Sequence, residues 1–341
     1  MIEISKLVSQ FDRWKELILQ NNELKETTIQ NAQIENGWFT PLEIERMLNS
    51  IQAQFLDSER LKSWLNTYEI NNSSRELSIG LIAAGNIPLV SFHDIFCLLI
   101  SGHQLQIKLS DKDKILPFWL LNLFSNHFAE YKSKINYVDQ LKNYDAVIAT
   151  GGEIASNHFN YYFKDSPKLI RSHRNSIAIL SGNESEQEVI QLGLDIFSYY
   201  GLGCRNVSKI YVPEGFDFPA FIEILDNHYI YVRQNNKYHN NYDYNLAIYT
   251  LNKSKFYQGE SSLFLESNSI SSRIACLNYE YYKDIDQLEN ELNNKLIQIQ
   301  SIQSNMKFNK LSTFQLGDSQ YPSLSDYADG IDTMKFLLQL S

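Results

Sequence analysis

Leu77-Ser78-Ile79-Gly80-Leu81-Ile82-Ala83-Ala84-Gly85 is a continuous apolar run, short enough for a buried strand. Working outward, NIPLVSFHDIFCLLISG (86–102) reads as a loop and a helix, and HQLQIKL (103–109) as a second strand. A helix capped by the Ser110 hydroxyl is expected from there to about Tyr131. YDAVIAT (144–150) is a third apolar strand that runs into Gly151 and Gly152 and a helix through Phe163. KLIRSH (168–173) and SIAILSG (176–182) are two more strands, and EQEVIQLGLDIFSYYG (186–201) is another helix. Apolar strands alternating with amphipathic helices imply an α/β fold with a largely parallel sheet covered on both faces.

Upstream, Leu7, Phe11, Trp14 and Ile18 recur at helical spacing. The pattern breaks at Gly37 and resumes at Thr40-Pro41, a helix start in which proline gives up an N–H that has no partner there anyway. Downstream come SKIYVPEG (208–215), a helix at 218–228, an Asn/Tyr-rich loop at 233–245, and a long helix from about Asp284 to Gln303. The pattern places a domain junction near residues 171–176, with a nucleotide-like first half and a second half carrying chemistry. The division expected is N-terminal helices with the first domain (1–175), a second domain (176–318), and a tail (319–341) expected on the first domain or on a partner subunit.

Composition narrows the function. The 341 residues carry 30 Lys and Arg against 40 Asp and Glu, a net charge of −10, with no basic tract of the kind that nucleic-acid binding needs. No apolar run reaches a membrane span, and the N-terminus lacks the greasy centre of a signal peptide. Three widely spaced cysteines exclude a disulfide framework and a CxxC metal site, so no metal is expected. These features fit a cytoplasmic globular protein.

Cys204 is the residue that suggests chemistry. In Tyr200-Gly201-Leu202-Gly203-Cys204-Arg205-Asn206-Val207-Ser208-Lys209, the glycine clears space for a carbonyl to approach the sulfur. Arg205 is positioned in sequence to favour a thiolate. The competing reading is an inert small hydrophobe, which is the reading for Cys97 (IFCLLI) and Cys276 (RIACL).

AAGNIPLVSFHDIFCLLISGHQLQIKLSDKDK, YDAVIATGG, HRNSIAIL, YYGLGCRNVSKIYVPEGFDF, YHNNYDYN and DYADGIDTMKFL together resemble the acyl-CoA reductase family. These are the LuxC-like fatty acyl reductases, relatives of the aldehyde dehydrogenases. The resemblance runs from about Asn36 to the C-terminus, and GLGCRNVSK and DYADGIDTMKFL are its specific parts. It implies an aldehyde-dehydrogenase-like fold, with a Rossmann-like nucleotide-binding domain and an α/β catalytic domain. It further implies Cys204 as nucleophile and Asn86 of GNIP as side-chain oxyanion donor, where a turn or cap is the alternative. Lys108 of IKLSDKDK would contact the adenosine ribose region, against a strand-end lysine reaching solvent. Thr150, Gly151 and Gly152 of IATGG would flank the dinucleotide, against an ordinary tight connection. The cofactor implied is NADPH, with NADH as the alternative.

The resemblance also has a gap. Aldehyde dehydrogenases use a glutamate to activate water, whereas the equivalent Arg171-Ser172-His173-Arg174-Asn175-Ser176 has no carboxylate. Without that base an acyl-cysteine would persist to accept hydride, which favours reduction of an acyl-CoA or other activated acyl group. The alternatives are a cofactor-independent acyltransferase or thioesterase using Cys204, or a silent scaffold for acyl-activating enzymes, which are also the expected partners. His93-Asp94 resembles a coupled pair, but both lie on the helix after the Asn86 loop, where a helix-start carboxylate is the commoner role. By the resemblance Glu266 would correspond to the superfamily glutamate that holds the nicotinamide ribose, outside the chosen site residues, and the segment Lys237–Tyr244 resembles the family without an assigned role. Aldehyde dehydrogenases pair through a hairpin ahead of the Asn loop, where only a short turn, Asn71 to Arg75, is available, so a homodimer stays open.

Overall fold

In a computed structural model of the protein, the structure describes residues 4–70, 76–172 and 174–340. They divide into two units, residues 1–173 with 322–341, and residues 174–321. The turn expected at Asn71–Arg75 lies outside the described residues.

The first unit begins with α1 (Ile4–Leu19), α2 (Glu23–Glu35), α3 (Pro41–Gln54) and α4 (Ser58–Leu65). Leu7, Phe11, Trp14 and Ile18 form the buried face of α1. The Trp14 indole N–H, which needs an acceptor once buried, donates to the Leu120 carbonyl at 3.1 Å. The sheet unit follows as β1 (Ser78–Ile82), α5 (Phe92–Ser101), β2 (Gln104–Lys108), α6 (Ile115–His127), α7 (Ala129–Lys132), β3 (Ile135–Tyr137), β4 (Ala146–Gly151), α8 (Glu153–Tyr162) and β5 (Lys168–Ser172). The strand order is β3-β2-β1-β4-β5, with every pair parallel. β1 and β4, neighbours inside the sheet, have no solvent side to mark with polar residues, hence their continuous apolar runs, whereas β2 alternates buried positions with exposed or half-buried ones. The C-terminal helix, Thr333–Leu338, packs against α5.

The second unit contains β6 (Asn175–Ile179), α9 (Glu186–Phe197), β7 (Val207–Pro213), α10 (Phe218–Tyr229), α11 (Asn236–Leu251), β8 (Phe256–Gln258), β9 (Leu263–Glu266), β10 (Cys276–Tyr282), α12 (Ile285–Asn293) and β11 (Ile299–Gln303). Its sheet runs β11-β6-β7-β10-β9-β8, and the β8–β9 pair is antiparallel. Among the described residues no helix is long and apolar enough to cross a membrane.

Three local expectations are corrected. The helix after β2 starts at Ile115 rather than Ser110, because 110–113 closes a turn in which the Asp113 N–H donates to the Ser110 carbonyl at 3.0 Å. The expected long helix stops at Asn293; IQSIQ then alternates as a strand and pairs with β6. The Asn/Tyr-rich segment is a helix, α11, capped by the Asn235 side chain. Its buried face, Tyr238, Tyr242 and Asn245, donates hydrogen bonds to the carbonyls of Ser261, Gly259 and Ile274. Polar side chains with helical spacing do the packing that an apolar stripe does elsewhere, so hydropathy alone misreads this helix.

Candidate active site

In the first unit the residues singled out in the sequence converge on one sheet edge. Strand pairing aligns Ile82 with Lys108 and with Ala149, and Gly151 with Ser172, so β1, β2, β4 and β5 end together. The strand order reverses at β1, and ligands of open parallel sheets bind outside the carboxyl ends of the strands at such a reversal. The Asn86 loop leaves β1 there, and Asn86 is half-buried. Lys108 is exposed at the end of β2, and Thr150 is half-buried near the end of β4.

The two glycines of the β4–α8 turn differ. A Cβ on Gly151 would lie 2.8 Å from Ala155 Cβ and 3.1 Å from Phe159 Cε2, so this glycine lets α8 pack on its own strand. A Cβ on Gly152, the N-cap of α8, would meet nothing within 4 Å. Open space at the first turn of a ten-residue helix leaves its N–H groups accessible to an anion. These features fit the phosphates and ribose of a dinucleotide. A cavity of about 580 Å³ in the same unit, lined by Leu24, Phe118 and Trp119 among others, includes none of these residues.

The end of β5 holds a network that sequence reading missed. Arg171 is 3% exposed and forms an ion pair with Asp94 of α5. Its other terminal nitrogen donates to the Thr333 hydroxyl at 2.6 Å, and that hydroxyl donates to Asp94 at 3.2 Å. Asp94, an acidic residue in the first turn of α5 as expected, is also the counter-ion of Arg171. His93 stacks on Tyr327, with centroids 4.7 Å apart. The Ser172 N–H donates to the Asp329 carboxylate at 3.3 Å, so the tail brings a carboxylate to the strand end that lacks one in sequence. Tyr68 bridges to Tyr327 and Asp332 at 2.6 and 2.9 Å. The DYADGIDTMKFL motif therefore anchors the tail on the first unit.

In the second unit Cys204 occupies the turn between α9 and β7 and is half-buried. Tyr199, Tyr200 and Gly201 lead into it with φ of 52°, 58° and 75°. Left-handed backbone is costly for tyrosine, and burial of both rings holds it in place. Asn206 organises the turn. Its Oδ1 accepts the Gly203 N–H at 2.8 Å, and its amide donates to the carbonyls of Asp195 and Ser198 at 3.0 and 2.8 Å. The Ser176 hydroxyl donates to the Cys204 carbonyl at 2.9 Å. Asp195, fully buried in α9, accepts from the Gly317 and Ser319 N–H groups and the Ser319 hydroxyl. Burial pushes its carboxyl up to about 6 against the pull of those bonds.

Asn206 lies two residues from the cysteine, but its role depends on carbonyls eight to eleven residues upstream, which sequence does not place. Asn206→Ala is expected to lower stability by about 2–4 kcal/mol, because it leaves buried N–H and C=O groups unpaired. Guanidinium unfolding measures this, and an unchanged midpoint would refute it. Lys209, buried at the end of GLGCRNVSK, pairs with Glu280 and lies over the Tyr211 ring at 4.7 Å; burial lowers its pKa, and Glu280 opposes the shift.

The other cysteines are core residues. Burial raises the Cys97 thiol well above its ordinary value and pushes Cys276 up to about 12, so neither is a thiolate near neutrality. Glu266 ends β9 exposed. Among the described residues no cluster of three or more His, Cys, Asp and Glu could hold a metal ion.

No protein-family model matches the sequence, and no curated protein matches it. Solved structures do match. Aldehyde dehydrogenase 21 from Physcomitrella patens, in complex with the reaction product succinate, aligns at TM-score 0.65 and 12% identity, over 98% of this chain and 84% of that one. Aldehyde dehydrogenase KauB from Pseudomonas aeruginosa aligns at TM-score 0.63 and 12% identity, over 89% and 73%. A mutant of aldehyde dehydrogenase C from Pseudomonas syringae, solved with NAD+ and octanal, aligns at TM-score 0.62 and 13% identity, over 94% and 84%. The chain has the aldehyde-dehydrogenase fold.

Proposed function

We propose that the protein is an NAD(P)H-dependent reductase that converts an activated fatty acyl group to the aldehyde through an acyl thioester on Cys204. The observation that carries this reading is the Cys204 turn, half-buried and fixed by Asn206 and Ser176, on the fold of enzymes that process aldehydes. The Cys204 sulfur attacks the thioester carbonyl, and the oxyanion takes a hydrogen bond from the Cys204 N–H; the sequence resemblance assigns the Asn86 amide as a second donor. Collapse expels the carrier thiolate and leaves acyl-Cys204. A reduced nicotinamide supplies the hydride when bound, with Lys108, Gly152 and the start of α8 holding its phosphates and ribose. The same donors then stabilise the second oxyanion, and its collapse returns the Cys204 thiolate and frees the aldehyde. NADPH, a long acyl chain and a LuxC-like role are part of this proposal and rest on the sequence resemblance.

One observation favours a second reading. Asp329 at the end of β5 is a carboxylate that could activate water, which would make the product a free acid. The test incubates the protein with palmitoyl-CoA, seeks the acyl adduct by intact mass, then adds NADPH and assays products. Adduct followed by aldehyde is expected; free acid formed at the same rate without NADPH would select hydrolysis. Asn86→Ala is expected to slow acylation on the order of 10²-fold, and an unchanged rate removes Asn86 from the oxyanion site.

A further inference from the structure

The mechanism above leaves unused a carboxyl that touches the Asn86 loop. Asp113, in the connection between β2 and α6, is 3% exposed. Its Oδ2 accepts the Leu89 N–H at 2.7 Å, while Oδ1 is buried with no hydrogen-bond partner among the described residues. Leu89 has φ of 52°, a conformation that a β-carbon disfavours and that persists only where surrounding structure holds it. The same connection grips the loop a second time. A Cβ on Gly85 would lie 2.5 Å from Ser110 Oγ and 3.1 Å from the Asp113 nitrogen. Asn86 lies between these two grips, and the Ala84 N–H is fixed by Ser91 Oγ at 2.9 Å.

We propose that Asp113 is the positioning residue of the Asn86 loop, fixing Leu89 and through it the peptide that carries the Asn86 amide. This rests on the acyl-transfer reading of Asn86 given above. Burial pushes the Asp113 carboxyl up to about 7, with the Leu89 N–H acting in the opposite direction. The loop from Ala83 to Ser91 has no titratable side chain. On α5 the titratable groups are His93, Cys97 and Asp94, the last paired with Arg171. Lys108 ends β2, while Asp111, Lys112 and Lys114 on the connection are exposed; α6 has only His127. From the helical layer Glu35 pairs with Lys114 at 3.6 Å.

The folded carboxyl titrates above the 3.8 of a free aspartate, so the folded state keeps a proton that the unfolded chain has lost. The stability this group lends is complete below about 4 and is lost as pH rises through about 7. Above that, a buried carboxylate with an unpaired oxygen favours opening of the loop toward water. Asparagine keeps the acceptor for Leu89 and cannot ionise, whereas leucine removes the acceptor.

The test uses the full chain with Asp113→Asn and Asp113→Leu. Amide exchange is read over peptides spanning 85–91, and Cys204 acylation by palmitoyl-CoA is followed by mass. Asp113→Leu is expected to lose protection there and to slow acylation, each about tenfold, as the loss of one buried hydrogen bond implies. Asp113→Asn is expected to keep both, and the wild-type to Asn rate ratio to fall between about pH 6 and pH 8. Unchanged protection in Asp113→Leu overturns the inference, as does lost protection with an unchanged acylation rate. If Asp113→Leu does not fold, a constant wild-type to Asn ratio across that range overturns it. If wild type forms no adduct, the acyl-transfer reading fails, and exchange alone decides whether Asp113 holds the loop.

Discussion

Cys204→Ala is expected to leave no acyl adduct and to lower aldehyde formation on the order of 10⁴-fold or more, as loss of a catalytic nucleophile does elsewhere. The prediction is specific because the three cysteines occupy different environments. Cys97 and Cys276 are buried, with thiols held protonated, whereas Cys204 is half-buried in a turn. Alanine removes the sulfur but leaves the backbone bonds from Ser176 and Asn206 in place, so the fold should persist. Circular dichroism and thermal melting should match wild type while intact mass shows no adduct. An adduct of the same mass and rate on Cys204→Ala would place the chemistry elsewhere and end the covalent mechanism.

Arg171→Ala is expected to be the most damaging single change in the first unit, costing about 3–5 kcal/mol, because it strands the Asp94 carboxylate away from water. Asp94 is 6% exposed, and without the guanidinium its remaining named partner is the Thr333 hydroxyl. For a unit of this size the melting temperature should fall on the order of 10 °C. The tail should also become sensitive to protease, since the change removes the Arg171 bond to Thr333. The double variant Arg171→Met with Asp94→Leu should recover most of the loss, because removing both charges leaves neither stranded. A melting point unchanged in Arg171→Ala, or a double variant as unstable as the single one, would contradict this account.

What could be read in the sequence follows from short-range periodicity. The strands at 77–85 and 144–150 are legible because parallel strands covered on both faces are apolar throughout, and the strand at 103–109 because its apolar and polar residues alternate. The helices α1 and α3 are legible because each carries an apolar stripe, Leu7, Phe11, Trp14 and Ile18 in α1 and Ile44, Leu48 and Ile51 in α3. α11 is not, because tyrosine hydroxyls and an asparagine amide meet carbonyls 17 to 29 residues away, and polar residues then look like a loop. The strand at 299–303 is absorbed into the preceding helical pattern because its sheet partner, β6, is over a hundred residues upstream.

The same division holds for the functional residues. Local sequence singles out Cys204, beside a glycine, whereas Asn86, Lys108 and the Thr150–Gly152 turn are marked by the family resemblance of their segments. Sequence also sets the α/β alternation, since helix and strand periods are properties of neighbouring residues. Tertiary structure alone pairs Arg171 with Asp94 and Thr333, brings Asp329 to Ser172, and places Asp113 against Leu89. Each of these partnerships joins residues 24 to 162 positions apart. A buried charge or polar group must find its partner in space, and nothing in the spacing of residues along a chain records which distant group that will be.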